Sequence, residues 1–411
     1  MSPVATAPAH LRTQDAQLRA AYLREVIEIL YPAPCRTDGR AAGLPVADYV
    51  VVPDVRRPRL LVPARSRRIA AAAVRRYAEP QNRVARLKRD AVVTALRSGA
   101  SGVLLRDRIR VYGPPGGTVD AYLRQALGAE LAMSVHIGPA RANRKPVLQL
   151  IDRGGRTVAF GKLGTGPLTR RLVRAETAAL NALAHASLAD VTIPQVTHSG
   201  QWRGHQVLVQ SALPVWQPRV PLTAERLARA MLDVALCCGT SKGWLATSPY
   251  WHELRERLTA VADRPDGAAL AAAARDLAAR AGDTGLRYGA WHGDWSPWNM
   301  ATLADTLLVW DWERFTLGVP LGFDALHHEL QRRVQTEPDA AAAVDATVTR
   351  APALLSPFGV PRAAAELTAL LYLVDLAARY LADRQAEAGA RLGVLGTWLL
   401  PVLVRRVEAL R

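Results

Sequence analysis

Apolar residues first fall into a clear rhythm over residues 14–30, where Leu18, Tyr22, Val26 and Ile29 or Leu30 recur at helical spacing and predict an amphipathic helix. Tyr31, Pro32 and Pro34 end it, since proline cannot continue a helical hydrogen-bond ladder. Two short apolar runs, Tyr49–Val52 and Arg59–Val62, flank a turn rich in Pro and Arg and predict a β-hairpin. The spacing then predicts helices over 68–77 and 84–97, the second closed by Ser98 and Gly99, followed by a strand pair within 103–112. The run Gly113-Pro-Pro-Gly-Gly breaks both periodicities and is the clearest boundary signal in the chain. Thr118 or Asp120 caps the next helix, which runs to Gly128.

From there the rhythm changes to strands. Ala132–Ile137, Val147–Ile151 and Thr157–Leu163 read as three, with Gly154-Gly155 as a turn, and a helix is expected from about Thr169 to His185. Gln206–Gln210 forms another apolar strand. Beyond it the pattern is mostly helical, over 223–238, 249–263, 268–281, 340–355, 361–385 and 397–410, with Gly267, Gly282 and Gly389 as helix stops.

One stretch of this helical half stands apart, WHGDWSPWNMATLADTLLVWDWE from Trp291 to Glu313. It reads as a short loop, a β-hairpin and a carboxylate at the strand end. Phosphoryl transfer from a nucleotide needs Mg²⁺ held by hard oxygen donors and a separate carboxylate that orients the attacking hydroxyl. Asp311 and Asn299 can supply the metal donors, and Asp294 can take the hydroxyl.

The order H-G-D-x-x-x-x-N, a short apolar strand and then D-W-E resembles the aminoglycoside phosphotransferase and choline kinase branch of the protein-kinase-like fold, where D-x-E stands in place of D-F-G. The resemblance spans about residues 131–411. It implies an α+β chain with a bilobal kinase-like fold: a small β-rich N-lobe over 131–210 and a larger helical C-lobe over 211–411. Residues 1–130 are then an additional α/β N-terminal extension, basic and of no assignable role.

It also implies roles for particular residues. Lys162, on the third strand, pairs with the phosphates of ATP, and Glu176, on the following helix, holds that lysine. Ser211 and Leu213 lie in the hinge whose backbone meets the adenine. Asp294 is the catalytic carboxylate, and Asn299 and Asp311 hold Mg²⁺. His292 is structural, bonding backbone near the Asp311 turn; Glu313 orients lysine or metal water; Asp324 ties down the catalytic loop. His327 and His328 are adjacent on one helix and face different directions, so they do not read as a two-histidine metal site. The loop Gly138–Lys145 departs from the family by lacking G-x-G-x-x-G, and Arg141, Arg144 or Lys145 could meet phosphates instead.

Composition narrows what the chemistry serves. Half of the 411 residues are hydrophobic, enough for a sizeable core. The N-terminus shows no basic start followed by an apolar run, and Glu366, Asp375, Arg379 and Asp383 interrupt the most apolar C-terminal stretches before the roughly 18 residues a membrane span needs. The three cysteines, Cys35, Cys237 and Cys238, have no metal-ligand spacing and suit a reducing cytoplasm.

The net charge of +17 is concentrated, with 13 Lys or Arg against 3 Asp or Glu over residues 51–100. Such a segment either forms a solvated helical face or attracts an acidic partner. Nucleic acid is disfavoured because no helix-turn-helix, zinc finger or aromatic stripe accompanies the charge. Trp295, Trp298, Trp310 and Trp312 surround the loop and either fill core or line a pocket for a ring. The leading expectation is ATP-dependent transfer to a hydroxyl of a small molecule such as a sugar or natural-product intermediate. The alternatives are a lanthipeptide-type peptide Ser/Thr phosphotransferase, its basic segment engaging an acidic leader, and a non-catalytic pseudokinase scaffold.

Overall fold

The structure, a computed structural model, describes residues 9–37, 44–77, 83–99, 105–390 and 392–410. The chain is α+β and divides into two compact units. One is sheet-rich, Ala7–Arg174 with Gln195–Ala212; the other is mainly helical, Ala175–Pro194 with Leu213–Arg411.

The sheet-rich unit is built on eight strands: β1 (Ala47–Val52), β2 (Leu60–Pro63), β3 (Arg108–Val111), β4 (Ala132–His136), β5 (Val147–Ile151), β6 (Thr157–Gly164), β8 (Val196–Trp202) and β9 (His205–Ser211). Their order is β3-β1-β2-β4-β5-β6-β9-β8, and every pairing is antiparallel. Alternation along β1 sends Tyr49 and Val51 to one face and Val50 to the other. On the first face, Tyr22, Val26 and Leu30 of the helix Ala9–Leu30 and Leu123 of the helix Val119–Leu127 pack with Leu61, Val135, Leu148 and Val207. On the second, Ala70, Ala71 and Val74 of the helix Arg67–Tyr77 and Leu96 of the helix Arg83–Ser98 pack with Val50, Leu60, Val62 and Ile151. The part of the sheet around β1 and β2 is thus covered on both sides.

The Gly113–Gly117 break does not divide this sheet, because β2 and β4 pair across it with Leu60 opposite His136 and Leu61 opposite Val135. Thr118 caps the helix that follows, its hydroxyl accepting from Ala121 N at 3.3 Å, and Gly128 closes it in the left-handed region at φ 61°. The strand pair expected within 103–112 is the single strand β3, while residues 101–104 lie outside the described residues.

The helical unit contains two three-stranded sheets. In one, β10 (Ser241–Trp244), β11 (Gly285–Trp291) and β14 (Thr316–Pro320) lie in that order; in the other, β12 (Met300–Thr302) pairs β13 (Leu307–Val309), and β13 pairs β7 (Val191–Thr192) in parallel. The helix Arg362–Ala382 is the centre of the core, with Leu370, Leu371, Tyr372, Leu373 and Val374 fully buried. The helix expected over 340–355 is two, Ala340–Thr349 and Ala351–Leu355, because Pro352 has no N–H with which to continue the ladder. Gly267 is no stop: it opens the helix Gly267–Ala281, where a Cβ would lie 2.0 Å from the Val261 carbonyl oxygen.

The charge divides with the fold. The sheet-rich unit carries 32 Lys and Arg against 12 Asp and Glu, and the helical unit 21 against 24. Long-range attraction for anions is therefore stronger at the sheet-rich unit. Among the described residues no helix is long and apolar enough to cross a membrane.

Candidate active site

Strand β11 leads into the loop that bears His292, Gly293 and Asp294. Its last four residues, Tyr288 to Trp291, are buried, so the chain enters the turn at His292 from a fixed position. Gly293 has φ 83°, and a Cβ there would stand 2.4 Å from the Arg314 carbonyl oxygen; the turn therefore requires glycine. The loop returns into β12, whose hairpin with β13 pairs Met300 with Val309, and Trp310 N donates to the Asn299 carbonyl at 3.1 Å. Asn299 and Asp311 thus flank the same open end of one hairpin. Asp311 adopts φ 71° and starts the short 3₁₀ turn Trp312–Arg314.

His292 is fully buried between two turns. Its Nε2 lies 3.1 Å from the Trp310 carbonyl and its Nδ1 accepts from Asp294 N at 3.1 Å, which defines a neutral ring with the proton on Nε2. Burial lowers its pKa to about 4. It stands edge-on to Trp312, with ring centroids 4.5 Å apart. His292 is therefore a strut joining the Asp294 loop to the Asp311 turn.

Asp294 receives three side-chain donors. Oδ1 accepts from His327 Nε2 at 3.0 Å and from Ser296 Oγ at 2.9 Å, and Oδ2 accepts from Asn299 Nδ2 at 3.0 Å. Burial alone would raise its pKa, but the hydrogen bond from His327 and the positive charge of Arg379 outweigh it and hold the carboxyl well below the usual range. The side chain keeps 32% of its surface exposed, so the carboxylate is both anchored and reachable. Burial keeps His327 neutral, with Nε2–H toward Asp294 and Nδ1 3.0 Å from the Tyr372 hydroxyl, which then donates to it.

Asp324 opens the helix Phe323–Thr336 and accepts from two loop amides, His292 N at 2.7 Å and Gly293 N at 3.1 Å. From the opposite side Arg379 Nη1 donates to the Gly293 carbonyl at 2.6 Å. Burial raises the Asp324 pKa to about 7 against the pull of those two amides. The loop is thus clamped through both its N–H and C=O groups.

The other expected residues lie as follows. Lys162, on β6 opposite Val147 and Leu208, is buried, as is Glu176 in the helix Pro167–Leu183; the first belongs to the sheet-rich unit and the second to the helical unit. Ser211 ends β9, its hydroxyl accepting from Gln195 N at 2.9 Å. Leu213 packs in a small apolar cluster with Ala301, Leu303 and Leu308, against Val215 and Trp310. Glu313 is buried in the turn after Asp311. Trp295 and Trp312 are core residues with no exposed surface, whereas Trp298 and Trp310 are half-buried.

His327, Tyr372, Arg379 and Ser296 escaped the sequence reading. The spacing of Asp324 and His327, three apart on one helix, was the available signal, since both must face the same way. Tyr372 and Arg379 come from a helix distant in sequence and gave none. Among the described residues no group of three or more His, Cys, Asp and Glu is placed to hold a metal.

Buried imidazoles make this region acid-sensitive. Burial lowers His292 and His328 to about 4, so both bind protons more tightly when unfolded, and the stability they contribute is complete above about pH 6.5 and is lost as pH falls toward 4. Asp324, raised to about 7, works the other way and loses stability as pH rises through that window. Two imidazoles against one carboxyl leave a net loss on acidification. The urea midpoint should therefore drop between pH 6.5 and 4; a flat or rising midpoint would contradict the burial assigned to these rings.

No family model and no curated protein matches the chain. Among solved structures it is similar to a thermostable mutant of aminoglycoside phosphotransferase APH(4)-Ia in ternary complex with ADP and hygromycin B, at 18% identity, covering 70% of this chain and 98% of that one, with a TM-score of 0.46. It is also similar to a putative fructosamine-3-kinase from Thermobifida fusca YX-ER1 (16% identity, 71% and 99% covered, TM-score 0.43) and to the gentamicin complex of APH(2″)-IIa (12%, 71% and 95%, 0.40). The likenesses are distant, and the chemistry rests on the side chains themselves.

Proposed function

We propose that the chain is an ATP-dependent O-phosphotransferase of the kinase-like fold, moving the γ-phosphoryl group of ATP to a hydroxyl of a small molecule. The observation that carries this is Asp294: a carboxylate kept ionised and aimed by His327, Ser296 and Asn299, on a loop clamped by Asp324 and Arg379, beside a hairpin end bearing Asn299 and Asp311.

Asp294 would accept a hydrogen bond from the acceptor hydroxyl, turn its oxygen toward the γ-phosphorus and take the proton late. Its depressed basicity suits that role, because positioning and charge neutralisation dominate this reaction. Lys162, with Glu176, would hold the phosphates, and the backbone near Ser211 and Leu213 the adenine. His292 keeps the loop and the Asp311 turn in register. The donor set suits Mg²⁺: one carboxylate, and one amide whose nitrogen is committed to Asp294 so that Oδ1 is the hard donor left. Asp311 and Asn299 would hold the ion, which when bound offsets phosphate charge. The half-buried Trp298 and Trp310 offer ring faces for a sugar or another cyclic acceptor.

The test is transfer of label from γ-labelled ATP by the purified chain, supplied with pooled sugars, amino alcohols and a metabolite extract. A labelled small molecule is the expected product; ATP left intact across all pools, or label on peptide alone, would overturn it. Chelation with EDTA should stop transfer and added Mg²⁺ restore it. Asp311→Ala should shift the Mg²⁺ activation curve to higher concentration, and an unshifted curve would remove Asp311 from the metal site.

A further inference from the structure

We propose that the helical unit carries a second ligand site, for a small planar aromatic anion, in the cavity floored by the β10–β11 hairpin. Register places Lys242 opposite Arg287 and Trp244 opposite Gly285. Residues directly paired, and residues two apart on one strand, share a face. Lys242, Arg287 and Trp244 therefore rise from the same side of the hairpin.

Like charges directly opposite on neighbouring strands destabilise a sheet. Among the described residues neither cation has a hydrogen bond or ion pair that relieves the pair, and the cavity lining contains no Asp or Glu. Trp244 is 60% exposed, and its ring lies over Gly285, where a Cβ would be 3.5 Å from the indole Cζ3. The lining also includes the apolar Pro320, Leu321, Val360 and Pro361, and the cavity measures about 460 Å³. That volume lies within the ordinary range for small-molecule sites.

An anionic group between the Lys242 ammonium and the Arg287 guanidinium would neutralise the opposed pair, while a ring beside the indole would cover exposed apolar surface. One ligand satisfies both demands if it is flat, aromatic and negatively charged. The site is separate from the Asp294 loop, since Arg287 precedes His292 by five strand residues, on the order of 15 Å.

Isothermal titration with three probes tests this without any reliance on phosphoryl transfer: 2-naphthoate, which has ring and charge; 2-naphthol, which lacks the carboxylate; and acetate, which lacks the ring. Naphthoate should bind, with the two partial probes weaker by about ten-fold or more. Trp244→Ala, and separately Lys242→Glu with Arg287→Glu, should each weaken naphthoate by about ten-fold or more. All three side chains are exposed, so the unfolding midpoint should stay close to wild type. Absence of naphthoate binding, naphthol binding as tight as naphthoate, or affinity unchanged in either variant would overturn the site.

Discussion

Asp294→Asn is expected to lower kcat by about 10²–10⁴-fold while nucleotide affinity stays at the wild-type level. Asparagine keeps an oxygen for the His327 Nε2–H and the Ser296 hydroxyl, so that side of the site survives. On the other side the carboxylate oxygen that accepts from Asn299 Nδ2 becomes an amide, and two N–H groups meet unless one of them turns. What is lost outright is the negative charge that would face the acceptor hydroxyl. The measurement is kcat for transfer beside nucleotide binding by titration calorimetry. Activity equal to wild type would remove Asp294 from the mechanism; loss of nucleotide binding and activity together would make it structural instead.

Asp324→Ala is expected to lower kcat by about 100-fold through displacement of the loop, since misplacing a reacting group by an ångström is enough for that. Asp324 never meets a substrate on this proposal. It holds His292 N at 2.7 Å and Gly293 N at 3.1 Å, and both amides would be left without an acceptor, at about 1–3 kcal/mol each for buried donors. Arg379 on the Gly293 carbonyl and His292 on the Trp310 carbonyl remain, but the turn is no longer clamped through its N–H groups and can shift, and with it Asp294. Asp324→Asn retains one acceptor oxygen and should keep more activity than the alanine variant. Equal activity of wild type and Asp324→Ala would show that the loop holds its shape without the clamp.

The two variants separate contact from positioning. A carboxylate that acts on the hydroxyl is not replaced by raising acceptor concentration, whereas a displaced loop should show its loss in KM as well as kcat.

Legibility of the site followed chain distance. Asp294, Asn299 and Asp311 lie within one short segment, so their spacing already implied a loop and a hairpin that bring them to one end, and the pairing of Met300 with Val309 has that form. His292 lies against the Trp310 carbonyl, and Asp324 accepts from the loop amides. His327 carries no local signal of its partner, because the group it meets is a carboxylate 33 residues away. Strand β8 was missed because it edges the sheet and carries polar Thr197, His198, Ser199 and Gln201, leaving no apolar alternation to read.

By itself the sequence determined the local elements, the helical character of the second half and the loop that carries Asp294, because capping, turn chemistry and apolar period act over a few residues. Tertiary structure alone decided that β1–β3 join the same sheet as β4–β6, β8 and β9 across the Gly113–Gly117 break, since strand pairing is a long-range choice that no local period encodes. It also decided which groups tune Asp294. His327 bonds it, Tyr372 bonds His327 and Arg379 bonds the neighbouring Gly293 carbonyl because two helices pack against the loop.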